Sequence, residues 1–145
     1  EVASGTVLRA LGAAAGPDGR PLVRAAHDLS NGGLVQSLVD SALRFGIGGV
    51  FDVAGAARRD CVGDHEMLLS ESQARAFVAV PEAAVKAVFA AAEAEGVDAV
   101  RIGTTGGDML AISGVDLLAA EGEGCGWIAS IDELRELSET GRTHF

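Results

Sequence analysis

The residues best suited to chemistry lie in one short stretch, residues 25–34, which reads Ala-Ala-His-Asp-Leu-Ser-Asn-Gly-Gly-Leu. This first polar stretch places an imidazole, a carboxylate, a hydroxyl and an amide before two glycines. A helix that begins after such glycines offers unpaired N–H groups and partial positive charge to an anion. The stretch therefore predicts a ligand site. Its candidate residues are His27, Asp28, Ser30, Asn31, Gly32 and Gly33.

Two elements must position these side chains. The apolar run at residues 22–26 predicts a buried strand, and the apolar spacing from Leu34 to Leu43 predicts a helix that continues to about Phe45. Asn31 is predicted to be the N-cap of that helix, because its amide oxygen can accept a hydrogen bond from an early backbone N–H. A strand that turns through glycine into a helix is a usual ligand site in α/β proteins.

The polar side chains of this stretch leave several roles open. His27 and Asp28 are adjacent strand residues whose side chains should point to opposite faces, which argues against a general base with its orienting carboxylate. A buried structural role for His27 is an equal alternative. Asp28 can cap the following turn or ligate a hard cation, for which this segment alone supplies few oxygens. Ser30 is not in a Gly-x-Ser-x-Gly sequence, so a nucleophile is not expected.

A second polar stretch, residues 70–73, reads Ser-Glu-Ser-Gln and interrupts apolar residues on both sides. The flanking segments 66–69 and 74–80 are interpreted as strands, so a bulge or tight turn should expose the polar side chains at a sheet end. Glu71 and Gln73 can equally be solvated turn residues. The stretch is therefore a second, weaker candidate site.

Composition limits the class of protein. The 145 residues, 48% of them hydrophobic, suit one globular domain over residues 1–145. A formal net charge of −10 argues against nucleic-acid partners and anionic membranes. Cys61 and Cys125 lack zinc-type spacing and are expected to be reduced thiols of a cytoplasmic protein. Because the chain opens at Glu1 within a helical pattern, we expect it to belong to a longer protein.

The remaining pattern alternates between strands and helices. A helix is predicted between Pro81 and Gly96, and Ser130 with Glu133 predicts a capping box that starts a last helix. Residues 104–108 predict a hairpin turn between strands at 97–103 and 109–112, and another strand is expected at 117–120. Together these elements predict an α/β (α+β) fold, a mixed β-sheet covered by about four helices.

Both polar stretches resemble signatures of one family. Residues 26–34 resemble the AHDxSDGGL motif of the phosphoribosylformylglycinamidine synthases, and residues 68–75 resemble their LFSESQxR motif. The motifs occur in the family's order, and the resemblance extends over nearly the whole chain. It implies the C-terminal domain fold of the aminoimidazole ribonucleotide (AIR) synthetase superfamily. A histidine before the aspartate resembles the second, C-terminal copy of that domain in the synthase.

The resemblance also implies an activity and its ligands. The family converts formylglycinamide ribonucleotide, ATP and glutamine-derived ammonia into formylglycinamidine ribonucleotide, as an ATP-dependent C–N ligase of purine biosynthesis. It implies Mg²⁺ at Asp28 and ATP or ADP at Ser30, Gly32 and Gly33, whereas catalysis belongs to another nucleotide site. Asn31 replaces the family's usual aspartate, which removes one negative charge. A further ligand edge is expected from His27, Asn31, Glu71, Ser72 and Gln73.

The implied partners are other parts of a larger enzyme. They are the ATP-binding domain and first-half domains of the same chain, together with glutaminase and small accessory subunits, and an isolated domain is expected to be inactive. One alternative is the C-terminal domain of another AIR synthetase-superfamily enzyme, of the selenophosphate or thiamine-phosphate synthetase type. Another alternative is a structural, pseudo-symmetric partner domain that binds no ligand.

Overall fold

The computed structural model describes residues 2–16, 18–60, 62–71, 74–114 and 126–142. Helices and strands are intermixed along them, which confirms the α/β class, with six described helices instead of about four and two sheets instead of one. The helices are α1 (Val2–Ala13), α2 (Gly33–Phe45), α3 (Ala54–Asp60), α4 (Asp64–Leu69), α5 (Val85–Ala94) and α6 (Ile131–Arg142), with a 3₁₀ turn at Glu82–Ala84. The strands are β1 (Ala25–Asp28), β2 (Gly49–Asp52), β3 (Ala76–Ala79), β4 (Gly103–Thr105), β5 (Met109–Ser113) and β6 (Gly126–Ser130).

The chain forms two compact units. The first unit comprises Glu1–Ser30 and Glu71–Val100, and the second comprises Asn31–Ser70 and Arg101–Phe145. The unit boundaries at residues 30/31 and 70/71 therefore fall inside the two polar stretches. A single domain over residues 1–145 stays a prediction. None of the described helices has the length and apolar character needed to cross a bilayer.

The first unit contains a two-stranded antiparallel sheet of β1 and β3, with α1 and α5. The strand expected from residue 22 begins only at Ala25, because the preceding segment has other partners. The Leu22 N–H donates to the carbonyl of Ala14 at 2.8 Å, and Ala15 forms an isolated bridge with Pro21. Leu22 instead joins the buried cluster beside α1. β1 is half-buried rather than buried, since its residues alternate between partly buried and exposed.

The second unit contains a four-stranded sheet in the order β4-β2-β5-β6. The hairpin predicted across residues 104–108 is wrong, because β2 lies between β4 and β5, antiparallel to the first and parallel to the second. Glycine at position 103 permits the close pairing of β4 with β2, because a Cβ there would lie 2.1 Å from the carbonyl oxygen of Val50. The strand expected at 117–120 lies outside the described residues.

Two helical segments of the second unit were not expected from the sequence. Residues 66–69, interpreted as a strand, belong to α4, where the Gly63 N–H donates to the Glu66 carboxylate at 3.3 Å. Met67 and Leu68 are buried, and α4 packs against α2. The short apolar run is compatible with strand or helix, and packing against α2 decides in favour of the helix. The second unexpected helix, α3, precedes α4 in the chain.

Other expected helix ends are confirmed. The Glu133 N–H donates to Ser130 Oγ at 3.2 Å, and the Ser130 N–H donates to the Glu133 carboxylate at 2.8 Å, which completes the capping box at α6. Pro81 directly precedes the 3₁₀ turn that leads into α5. Gly96, with φ 64°, follows the end of α5 in the left-handed conformation.

Gly33 tests how closely α2 and α4 approach. An alanine Cβ at Gly33 would lie 2.6 Å from the carbonyl oxygen of Leu68, and φ is +70°. Gly46, at φ +63°, has open space instead. We expect Gly46→Ala to lower the free energy of unfolding by about 1–2 kcal/mol through backbone strain. Gly33→Ala should lower it by about 1–3 kcal/mol more through the clash.

Urea denaturation of the two variants and the unsubstituted chain measures this difference. Equal destabilisation by the two substitutions would contradict the close approach of the Gly33 backbone to α4.

Candidate functional site

The first polar stretch joins a strand to a helix, as the sequence predicted. His27 and Asp28 are the last two residues of β1, and Gly33 is the first residue of α2. Ser30 and Asn31 lie between them and are exposed. The polar residues therefore lie at and just after the end of β1, and the two glycines that follow belong to the second unit.

The His27 ring packs between a neighbouring strand and its own backbone. It stacks on Phe77, its cross-strand partner in β3, with ring centroids 5.8 Å apart and planes at 15°. Its Nδ1 lies 2.6 Å from the Asp28 carbonyl oxygen and 3.6 Å from Asp28 Oδ1. The two side chains lie closer than the alternation of strand residues suggested, but the nearer contact of the ring is with the Asp28 backbone carbonyl rather than the carboxylate.

The Asp28 carboxylate is exposed and accepts hydrogen bonds that lower its pKa. Its side chain has 71% of its surface accessible to solvent. A hydrogen bond from the Ser30 hydroxyl, followed by one from the Asp28 backbone N–H, lowers the pKa of the Asp28 carboxyl below its ordinary value of 3.8. Asp28 therefore presents a negative charge at neutral pH, with Ser30 contacting it directly.

The start of α2 differs from the prediction. Asn31 is not the N-cap, because that position is taken by Gly32, whose φ of 75° and ψ of 10° are left-handed. Gly33 follows with φ 70°. Glycine adopts two successive positive φ values at low cost. The helix therefore begins one residue later than predicted, and Asn31 does not occupy the N-cap position. Glycine at the cap has no side chain to accept a bond from the first N–H groups.

The second polar stretch is described only in part. Glu71 is exposed, whereas Ser72 and Gln73 lie outside the described residues. Ala74, which follows them, has φ 63°, a left-handed conformation that is costly for alanine. The Leu29 N–H donates to the carbonyl of Arg75 at 3.1 Å, so within the first unit the chain after Asp28 lies beside the chain that enters β3.

Phe77 is the site residue that the sequence did not reveal. It falls within the strand predicted at 74–80, where an aromatic side chain indicates only packing. Its place opposite His27 depends on the register of β1 with β3. No short motif encodes that register.

The charged groups do not form a metal cage in the part of the chain that the structure describes. No group of three or more histidine, cysteine, aspartate or glutamate side chains is placed there to hold an ion. Asp28 can still be one ligand, because Mg²⁺ commonly keeps several waters and binds one or two carboxylates together with substrate phosphates. The single Asp28 carboxylate therefore fits a cation that is also coordinated by waters and by the phosphates of a bound ligand.

Comparison with known families gives a match over most of the chain. The family described as AIR synthase related protein, C-terminal domain, matches residues 2–113. A solved structure described as T. maritima PurL complexed with ATP covers 78% of this chain and 19% of its own, with a TM-score of 0.60 and 16% identity. That likeness concerns the fold.

Curated relatives share a common name. A phosphoribosylformylglycinamidine synthase subunit PurL from Renibacterium salmoninarum is 40% identical over 118 residues, which is 81% of this chain and 14% of the relative. Proteins of the same name from Nocardioides sp. and Bradyrhizobium sp. are 45% and 44% identical over 93 and 90 residues. The chain thus spans about a seventh of the first relative's length.

The Asp28–Ser30 contact predicts a pKa change. In Ser30→Ala the pKa of the Asp28 carboxyl should rise toward 3.8, because its largest stabilising hydrogen bond is lost. Carboxyl ¹³C NMR titration measures the change. Glu133, whose pKa is lowered by hydrogen bonds from Ser130, is the internal control and should titrate unchanged. An unchanged Asp28 pKa would contradict the contact.

The same contact has a consequence for folding. The folded-state pKa of Asp28 lies below its unfolded value, so its contribution to stability is complete above about pH 3.8 and is lost as pH falls through the folded pKa.

Proposed function

Because this chain belongs to the AIR synthase related protein C-terminal domain family, we propose that it is the C-terminal domain of a phosphoribosylformylglycinamidine synthase subunit. The observation that carries this proposal is 40% identity to a subunit of that name over 81% of the chain. In this proposal the whole enzyme uses ATP and glutamine-derived ammonia to convert formylglycinamide ribonucleotide into formylglycinamidine ribonucleotide.

The proposed role of Asp28 is to ligate Mg²⁺. Its support is an exposed carboxylate at a strand end, which is ionised at neutral pH and accepts a hydrogen bond from Ser30. Magnesium would supply positive charge that neutralises nucleotide phosphates. With a net charge of −10 in the chain, an anionic nucleotide needs such local neutralisation.

The proposed nucleotide contacts are Ser30, Gly32 and Gly33, with ATP or ADP as the ligand. Ser30 has an exposed hydroxyl beside the Asp28 carboxylate. Gly32 and Gly33 lead into α2, whose N-terminal end favours a phosphate through its backbone N–H groups and dipole. We propose no catalytic residue in this chain.

The further ligand edge is a separate part of the proposal. Its proposed members are His27, Asn31, Glu71, Ser72 and Gln73. The backbone hydrogen bond from the Leu29 N–H to the Arg75 carbonyl supports this, because it places the chain after β1 beside the chain that enters β3 within the first unit. The resemblance of residues 68–75 to the family's second motif supports Ser72 and Gln73.

The remaining proposals concern the larger assembly. The chain's share of the relative's length supports partners within a longer polypeptide, namely an ATP-binding domain and first-half domains. We propose glutaminase and small accessory subunits as further partners, a cytoplasmic location, and no activity for the isolated domain.

Asp28→Asn in the full-length enzyme tests the metal and nucleotide assignment. The substitution removes the charge while keeping the side-chain shape. Binding of ATP in the presence of Mg²⁺ should weaken by at least about 10-fold, since even indirect partners of metal ligands have effects of that size. Isothermal titration calorimetry with and without Mg²⁺ measures the change, with the ATP site of this domain fitted separately from the catalytic nucleotide site that the resemblance implies.

Asp98→Asn is the matched control, because it changes an exposed aspartate outside both polar stretches and should bind normally. If Asp28→Asn binds ATP and Mg²⁺ like the unsubstituted enzyme, the ligand-free structural role is favoured instead.

A further inference from the structure

The His27 ring contacts the backbone of Asp28, the residue proposed to ligate the metal. Its ring contacts the backbone carbonyl of Asp28 more closely than the Asp28 carboxylate, at 2.6 Å against 3.6 Å. We infer that His27 is a positioning residue: its Nδ1–H holds the Asp28 carbonyl and so sets the direction in which the Asp28 carboxylate leaves the strand. This inference rests on the proposed role of Asp28 as a magnesium ligand.

The direction of the hydrogen bond follows from the chemistry of the two groups. A carbonyl oxygen can only accept, so the proton must be on His27 Nδ1. In a neutral imidazole this leaves Nε2 without a proton. The contact therefore assigns one tautomer to His27, which is an observable property of the ring.

The peptide group between Asp28 and Leu29 is held at both ends. Its carbonyl accepts from His27 at 2.6 Å, and its N–H donates to the carbonyl of Arg75 at 3.1 Å. Leu29 itself is buried, with 4% of its surface accessible. Rotation of this peptide plane would break both hydrogen bonds, so the backbone that carries the Asp28 side chain has one defined orientation.

The His27 ring is itself held in place. Phe77 lies directly opposite in β3, and the two rings stack at 5.8 Å with planes at 15°. The Asp28 carboxylate is fixed separately by the Ser30 hydroxyl. Backbone and carboxylate of one residue thus have independent supports, the arrangement expected of a ligand whose geometry must be maintained.

Two substitutions separate the hydrogen bond from the stacking. His27→Phe keeps a ring against Phe77 and removes the donor, whereas His27→Asn keeps a side-chain N–H donor near Nδ1 and removes the ring. In the full-length enzyme, His27→Phe should weaken Mg²⁺-dependent ATP binding by about 10-fold to 100-fold. His27→Asn, which keeps the donor, should bind ATP with Mg²⁺ more tightly than His27→Phe does.

Calorimetric titration of ATP with and without Mg²⁺ gives the affinities, and Asp28→Asn is measured alongside. Normal binding by His27→Phe, with weak binding by Asp28→Asn, would overturn the role of His27 and leave the proposed role of Asp28 intact. Equal weakening by both His27 variants would also overturn it, because the donor would then not matter. Normal binding by all three variants would overturn the proposed role of Asp28 as a magnesium ligand as well.

The tautomer gives a test without substitution. ¹⁵N NMR of the unsubstituted protein should show the His27 imidazole with its proton on Nδ1. A neutral ring protonated on Nε2 alone would overturn the inference, even if a His27 variant does not fold.

Discussion

The antiparallel pairing of β1 with β3 is the interaction on which the candidate site depends. It sets Phe77 opposite His27 and leads to the bond between Leu29 and Arg75 just beyond the strand end. A slip of one residue would turn the His27 ring away from Phe77, because alternate residues of a strand face opposite sides. The orientation of Asp28 is therefore a property of two chain segments far apart in sequence.

The two glycines after Asp28 serve both the backbone turn and the proposed function. Gly32 and Gly33 take successive left-handed conformations, and Gly33 also approaches the backbone of α4. A residue with a side chain would be strained at both positions. Glycine here removes the usual side-chain cap of α2 and leaves its first turn to other partners, which suits a phosphate ligand. The absence of side chains thus accounts for both the turn geometry and the proposed phosphate contact.

Electrostatics limits what the site can bind. The chain has a formal net charge of −10, and the exposed Asp28 carboxylate adds a local negative charge at neutral pH. A nucleotide would meet repulsion from that carboxylate unless a cation lies between them. One exposed carboxylate, without a three-residue cluster in the described part of the chain, suits a metal ion that the nucleotide also ligates. Metal and nucleotide are then expected to bind together.

Local residue patterns were enough to predict the α/β class, the glycine turn after Asp28 and the capping box of Ser130 and Glu133, because each depends on neighbouring residues. The resemblance of the sequence also led to the family. Local pattern could not predict that β2 lies between β4 and β5, because strand pairing depends on residues far apart in sequence. It also could not predict that residues 66–69 form a helix, because that depends on packing against α2. The contact of His27 with the Asp28 carbonyl needed the tertiary structure too. It depends on strand register and ring stacking against Phe77, and both are settled by packing across the sheet rather than by residue type.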